Sequence, residues 1–142
     1  MENIRCSHVW RWLLVGLYAA LLFYLSSLHR PSVPHFRFSD KLMHLGFYAG
    51  FGAVFAWACD PARRLWSGKK IVLASAIAAM IYGATDEFHQ VFVSGRTPDY
   101  MDLLFDVLGG GLGGVFYSVI AYAGRSRRKG KTEGSDPAAA SL

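Results

Sequence analysis

The third apolar run of this chain is too short to cross a membrane by itself. From Ile71 to Thr85 there are about 15 residues, roughly 22 Å of helix, against a hydrocarbon core of about 30 Å. To span, the helix must continue through Asp86, Glu87 and Gln90. A carboxylate facing lipid is costly, so these acids have to be enclosed by other helices. That requirement predicts an all-α integral membrane protein in which several spanning helices form one bundle around a polar interior.

Composition and the remaining runs agree. Apolar residues make up 53% of the 142-residue chain and charged residues only 18%, and the mean hydropathy is +0.25. So short a chain holds a single domain. Val9 to Leu28 is long enough to span. A cleaved signal peptide is the rival reading of a basic start and an apolar centre. However, the run is long for one, and Ser26-Ser27-Leu28-His29 is a poor cleavage site. Pro31 and Pro34 mark a loop over His29–Ser39, after which Ser39 and Asp40 open a second helix as cap and first-turn acid. That helix carries Gly46-Phe47-Tyr48-Ala49-Gly50, a spacing that admits a close neighbour, and ends at Asp60-Pro61. In the third helix Ser75, Ala79 and Gly83 form a small-residue face. Ser94-Gly95 reads as a turn, and Thr97-Pro98 as the cap and first residue of a fourth helix with a doubled GxxxG, Gly109-Gly110-Gly111-Leu112-Gly113-Gly114.

The expected organisation is a cytoplasmic N-terminus over 1–8 and a four-helix membrane domain over 9–123. Its helices lie at about 9–28, 40–59, 71–93 and 98–122, followed by a disordered basic cytoplasmic tail over 124–142. Charge sets the orientation. Arg5 and Arg11, then Arg63, Arg64, Lys69 and Lys70, then Arg125, Arg127, Arg128, Lys129 and Lys131 fall on one side. Arg30, Arg37, Lys41 and Arg96 fall on the other. The positive-inside rule places both termini in the cytoplasm and the polar cluster outside. Trp10, Trp12, Trp57 and Trp66 all fall near the inner boundary, as an interfacial belt does. The formal net charge of +5 is thus accounted for by topology and anionic lipid rather than by nucleic acid. Cys6 and Cys59 match no metal or redox spacing.

Polar residues capable of chemistry gather at three helix ends. Asp40 and His44 are four apart on the second helix; Asp86 and Gln90 share a face of the third, with Glu87 beside them. Asp99, Asp102 and Asp106 line one stripe of the fourth, and Lys41 and Arg96 are the nearby cations. For Asp40 and Asp99, which lie in first turns, helix-terminus electrostatics and a functional role are equal readings. Such electrostatics do not account for Asp106 two turns in, nor for Asp86 and Glu87 at a C-terminal end where acids are disfavoured, for which a salt bridge to Arg96 or Lys41 is the structural alternative to a functional role. Adjacent carboxylates in low-dielectric surroundings suit proton transfer, which makes Asp86, Glu87 and His44 the candidate catalytic residues. Asp40, Lys41, Gln90, Arg96, Asp102 and Asp106 are the candidate substrate-binding residues. No metal motif such as H-E-x-x-H is present and no cofactor is expected. The carboxylates and His44 could still ligate a divalent cation that binds a phosphate. No serine or cysteine is marked as a nucleophile, although Ser94 is near. His89 is read as an interfacial residue, and Tyr48 and Tyr82 as packing residues.

The order Asp40-Lys41, His44, Tyr48, Asp86-Glu87-x-x-Gln90-x-Phe92-x-x-x-Arg96 and Asp102, followed by a glycine-rich last helix, resembles the VanZ-like family over about residues 38 to 118. Family members are small bacterial membrane proteins, and the founding member is linked to low-level resistance to the glycopeptide teicoplanin. The resemblance implies a multi-pass protein of the bacterial cytoplasmic membrane and an antibiotic-linked envelope role. It places the family's polar residues on Asp40, Lys41, His44, Asp86, Glu87, Gln90, Arg96 and Asp102. Ser94 stands where proline is common, and Asp106 where asparagine is frequent.

The leading expectation is an outward-facing site that binds or modifies an envelope amphiphile, either a lipid headgroup or a lipid-linked cell-wall precursor. Transport of lipid, protons or ions through the bundle is the second. The third is a non-catalytic membrane partner, with homo-oligomerisation through the glycine faces of helices 2 and 4.

Overall fold

The computed structural model describes residues 2–28, 39–60, 66–94, 96 and 98–133. It is all-helical: α1 (Glu2–Ser27), α2 (Ser39–Cys59), α3 (Gly68–Gln90) and α4 (Tyr100–Glu133). Each helix contains a stretch long and apolar enough to span a membrane, namely Val9–Ser27, Asp40–Cys59, Gly68–Gln90 and Tyr100–Gly124. Large apolar side chains such as Leu17, Leu73, Phe88 and Phe116 are exposed around the whole circumference, a surface suited to lipid.

α4 is the central element, and along its glycine-rich middle it meets its neighbours almost without side chains. A Cβ on Gly109 or Gly113 would fall on the α2 backbone at Leu45, Ala49 and Ala53; one on Gly110 or Gly114 would strike Ser75, Ala79 or Val72 of α3. The α3 stripe Ile71, Ser75, Ala79 and Gly83 is buried in return. Backbone-to-backbone approach of this kind is how spanning helices gain contact where lipid offers no hydrophobic driving force. The doubled GxxxG is therefore taken up within the chain, by α2 and α3. On Gly46, in contrast, a Cβ would meet nothing within 4 Å.

α1 packs differently, through large side chains and a few polar pins. Val15 and Leu22 join Tyr48, Phe51, Ala58 and Ala79 in the main apolar cluster. Tyr18 Oη donates to the Phe47 carbonyl at 3.0 Å, and Tyr82 Oη donates to the Ala19 carbonyl. At the other end Arg11 Nη1 donates to the Trp57 carbonyl at 2.8 Å and lies over the Trp57 ring.

Helix ends depart from expectation in several places. α1 begins at Glu2, ahead of its apolar spanning stretch, which starts at Val9. α3 starts three residues early because Ser67, in extended conformation, accepts from Lys70 N at 3.4 Å and caps it. It also stops three residues early: after Gln90, Phe92 N bonds back to His89 O and Val93 N to Gln90 O, the tighter bonds that close a helix end. α4 runs on to Glu133, into the region expected to be a disordered tail from residue 124. Arg and Lys are good helix formers and simply continue the α4 ladder. The expected Thr97 cap, the Pro31–Pro34 loop, and residues 134–142 lie outside the described residues, as does the Ser39 side chain.

Candidate functional site

The polar site grows out of the same α2–α4 seam that carries the glycines. Down one face of α4 run Asp99, Asp102 and Asp106, then Gly109 and Gly113; down the facing side of α2 run Asp40, Lys41, His44 and Tyr48. Where glycine lies, at Gly109 and Gly113, the two backbones come into contact. One turn above, acids replace glycine and meet the cations of α2.

Lys41 Nζ bridges Asp99 Oδ2 at 2.7 Å and Asp102 Oδ1 at 2.9 Å. His44 Nδ1 lies 2.9 Å from Asp106 Oδ1, and its Nε2 lies 3.8 Å from Asp102 Oδ2. With Asp106 ionised, Nδ1 carries the proton and donates it, leaving Nε2 as the free ring nitrogen. Asp106 is wholly buried, and room for it exists because α3 has glycine opposite: a Cβ on Gly83 would lie 2.6 Å from Asp106 Oδ2. That oxygen has no hydrogen-bond partner.

α3 contributes the other acids. Glu87 Oε2 accepts from Asp99 N at 2.8 Å, and its Oε1 lies 3.5 Å from Gln90 Nε2. Asp99 in turn caps α4: its Oδ1 accepts from Met101 N at 2.9 Å, and its carbonyl accepts from Asp102 N. The Lys41 ammonium, and after it the Met101 amide, hold the Asp99 carboxyl below the usual aspartate range. Asp99 thus caps the α4 start at Tyr100, a role that the Thr97-Pro98 spacing did not suggest. Asp86, only 5% exposed, keeps Oδ1 without a partner.

Several of these groups border a small cavity of about 70 Å³, room for a few water molecules, beside the C-terminal end of α1. Its polar lining is Asp40, His44, Tyr48, Asp86, Gln90 and Arg96, with Ser26; Leu22 and Leu25 of α1 and Met43 and Phe47 of α2 form its apolar wall. Of the three residues expected to do chemistry, His44 and Asp86 line the cavity. Glu87 does not, and both its oxygens are engaged. Of the expected binding residues, Asp40, Gln90 and Arg96 line it, whereas Lys41, Asp102 and Asp106 form the layer that holds His44. Arg96 Nε is buried without a partner while its Nη2 donates to the Leu28 carbonyl at 3.4 Å. His89 faces α1, 3.0 Å from Ser27 Oγ and in tilted ring contact with Phe23. The α1 wall was not anticipated from sequence. An apolar spanning helix with no polar motif gives no signal of lining a site.

A family model described as VanZ/LLP1 matches residues 9–121, nearly the whole membrane unit. The chain belongs to the VanZ/LLP1 family. No curated protein and no solved structure matches it. The matched span takes in all four helices and every cavity residue, so this VanZ/LLP1 protein is a multi-pass membrane protein whose polar cluster lies inside the family domain.

Proposed function

We propose that this VanZ/LLP1 protein binds an envelope amphiphile with an anionic headgroup, a lipid or lipid-linked cell-wall precursor, at the outer leaflet of the bacterial cytoplasmic membrane. The observation that carries this reading is that α1 and α2 line both a polar cavity and an apolar groove. The polar cavity sits at one end of the helix pair. Toward the other end a separate apolar groove of about 520 Å³ lies between Leu17, Leu21 and Tyr24 of α1 and Val54 and Trp57 of α2. A polar head beside an apolar slot is the shape of an amphiphile, and it lies within a spanning segment. Arg96 is the cation suited to a phosphate. The outward orientation rests on the basic residues at the opposite helix ends. Altered glycopeptide susceptibility would follow if the bound amphiphile is a wall precursor.

The test is native mass spectrometry of the protein in nanodiscs with a polyprenyl phosphate and with phosphatidylglycerol. Retained adducts that weaken about tenfold in Arg96→Ala support the reading. Equal retention by a folded Arg96→Ala/Asp86→Asn protein would sink it.

A second reading has its own support. The Lys41–Asp99–Asp102 and Glu87–Asp99 contacts tie three helices together, as a purely structural network in a non-catalytic partner protein would. It predicts that substitutions at Asp86, which lacks a partner on Oδ1, leave every binding property unchanged.

A further inference from the structure

Among the described residues, and leaving Asp40 aside, acids outnumber cations around His44. Asp86, Glu87, Asp99, Asp102 and Asp106 lie near Lys41 and Arg96, and Lys41 is already shared between two of the acids. An enclosed surplus of carboxylates must take up protons or a cation.

The geometry narrows the choice. One atom each from Asp40, His44 and Asp102 falls within 4.8 Å of the others, the span of ligands around one ion. Nε2 is the nitrogen turned toward Asp102, while Nδ1 is held by Asp106 at 2.9 Å. A carboxylate on the distal nitrogen is the arrangement that fixes the tautomer and orientation of a metal-ligating histidine. A second grouping, His44 with Glu87 and Asp106, is as compact. It would need Nδ1, which Asp106 occupies, and Glu87 oxygens that already accept from Asp99 N and face Gln90. The first grouping also borders the cavity, through Asp40 and His44, so solvent or a ligand can complete the coordination. Independently, Asp86 lines that cavity 95% buried with Oδ1 lacking any partner, an arrangement that leaves a buried acceptor aimed at something.

We propose that His44 Nε2, Asp40 and Asp102 Oδ2 hold a divalent transition-metal cation, with Asp86 across the cavity as an acceptor for its water or as a further ligand. One nitrogen among carboxylate oxygens selects Zn²⁺ or Mn²⁺ over Ca²⁺ or Mg²⁺, which prefer all-oxygen shells. Asp106 is a positioning residue for His44. Resting on the amphiphile reading above, the cation supplies the second positive charge beside Arg96 and bridges the protein's carboxylates to a phosphate oxygen of the headgroup. The site then accepts an anion despite its excess of acids.

The experiment uses the full chain in nanodiscs, stripped with EDTA and titrated with ZnCl₂, MnCl₂ and CaCl₂, reading bound metal by mass spectrometry and Tm. One equivalent of Zn²⁺ or Mn²⁺ should bind and raise Tm, with Ca²⁺ far weaker. Asp40→Asn and His44→Gln should each weaken binding at least tenfold, and Asp106→Asn by about tenfold. Asp99→Asn, which also contacts Lys41 but supplies no ligand, should retain it. Should His44→Gln fail to fold, Asp40→Asn decides. Absence of saturable Zn²⁺ or Mn²⁺ binding overturns the proposal, as does binding that survives Asp40→Asn. Polyprenyl phosphate adducts that persist in EDTA overturn the cation and spare the amphiphile reading. Metal binding without any amphiphile adduct does the reverse.

Discussion

α4 and α1 are both apolar spanning helices in one small bundle, yet they are held by opposite means. α4 presents glycine to two neighbours, and its backbone touches theirs; α1 presents Tyr18, Leu22 and Val15 and is pinned by single hydrogen bonds. The first kind of contact has two states, fitted or broken, because backbone cannot yield. The second can slip by a rotamer and re-form. The α2–α3–α4 unit is thus the fixed frame that sets the spacing of His44, Asp86 and Asp106. α1 is the adjustable wall, and the cavity and the apolar groove both open along it.

That contrast can be broken at its strong side first. Gly113→Ala places a methyl on the Ala49 carbonyl and the Ala53 amide of α2, and should destabilise by about 3 kcal/mol or abolish folding, read as folded yield and Tm in detergent. Lys41→Met comes next. It leaves Asp102, a buried acid, without its ammonium and should lower stability by about 2 kcal/mol, with Asp102→Asn in the same chain restoring part of the loss. On the α1 side Tyr82→Phe removes only the bond to Ala19, about 1 kcal/mol, but should raise hydrogen exchange in α1 while leaving α2–α4 unchanged. Gly16→Ala, where nothing lies within 4 Å, should be neutral or stabilise by about 0.5 kcal/mol. A matching loss at Gly16 and Gly113 would erase the distinction between the two helices.

The smallest effect is a titration. The Asp99 carboxyl is held below its ordinary value of 3.8 by Lys41. A depressed acid adds stability that is complete above that value and is lost as pH falls through the folded one. The Tm gap between the protein and Asp99→Asn should therefore be largest above about pH 4 and close in stronger acid. Because Asp99 is 40% exposed on its side chain, the gap should also shrink with salt.

Much of the frame was legible in the residues, and for identifiable reasons. The length deficit after Ile71 forces Asp86, Glu87 and Gln90 into α3, and all three are there and buried. The glycine cluster demanded a close neighbour, and it has two. What spacing could not reveal was the pairing between helices. That Asp106 needs Gly83 behind it, or that Glu87 commits an oxygen to Asp99 N, depends on how α3 and α4 register, and no periodicity within one helix encodes that. Nor could it distinguish His44 and Asp86, which line the cavity, from Glu87, which supports α4 and does not line it. Helix ends differ from the pattern where a local side chain competes with it, as Ser67 and Asp99 do by capping.

Whether the acids are kept for a ligand is tested most directly by the melting temperature of Asp86→Asn beside the unaltered protein, each with and without a polyprenyl phosphate. Asp86 has a buried oxygen without a partner, so neutralising it should leave Tm equal or higher, as at a site held against stability. The ligand-induced rise in Tm should then be lost. If Asp86→Asn melts lower and the ligand raises both proteins equally, the cluster is part of the scaffold, and the acids are not kept for a ligand.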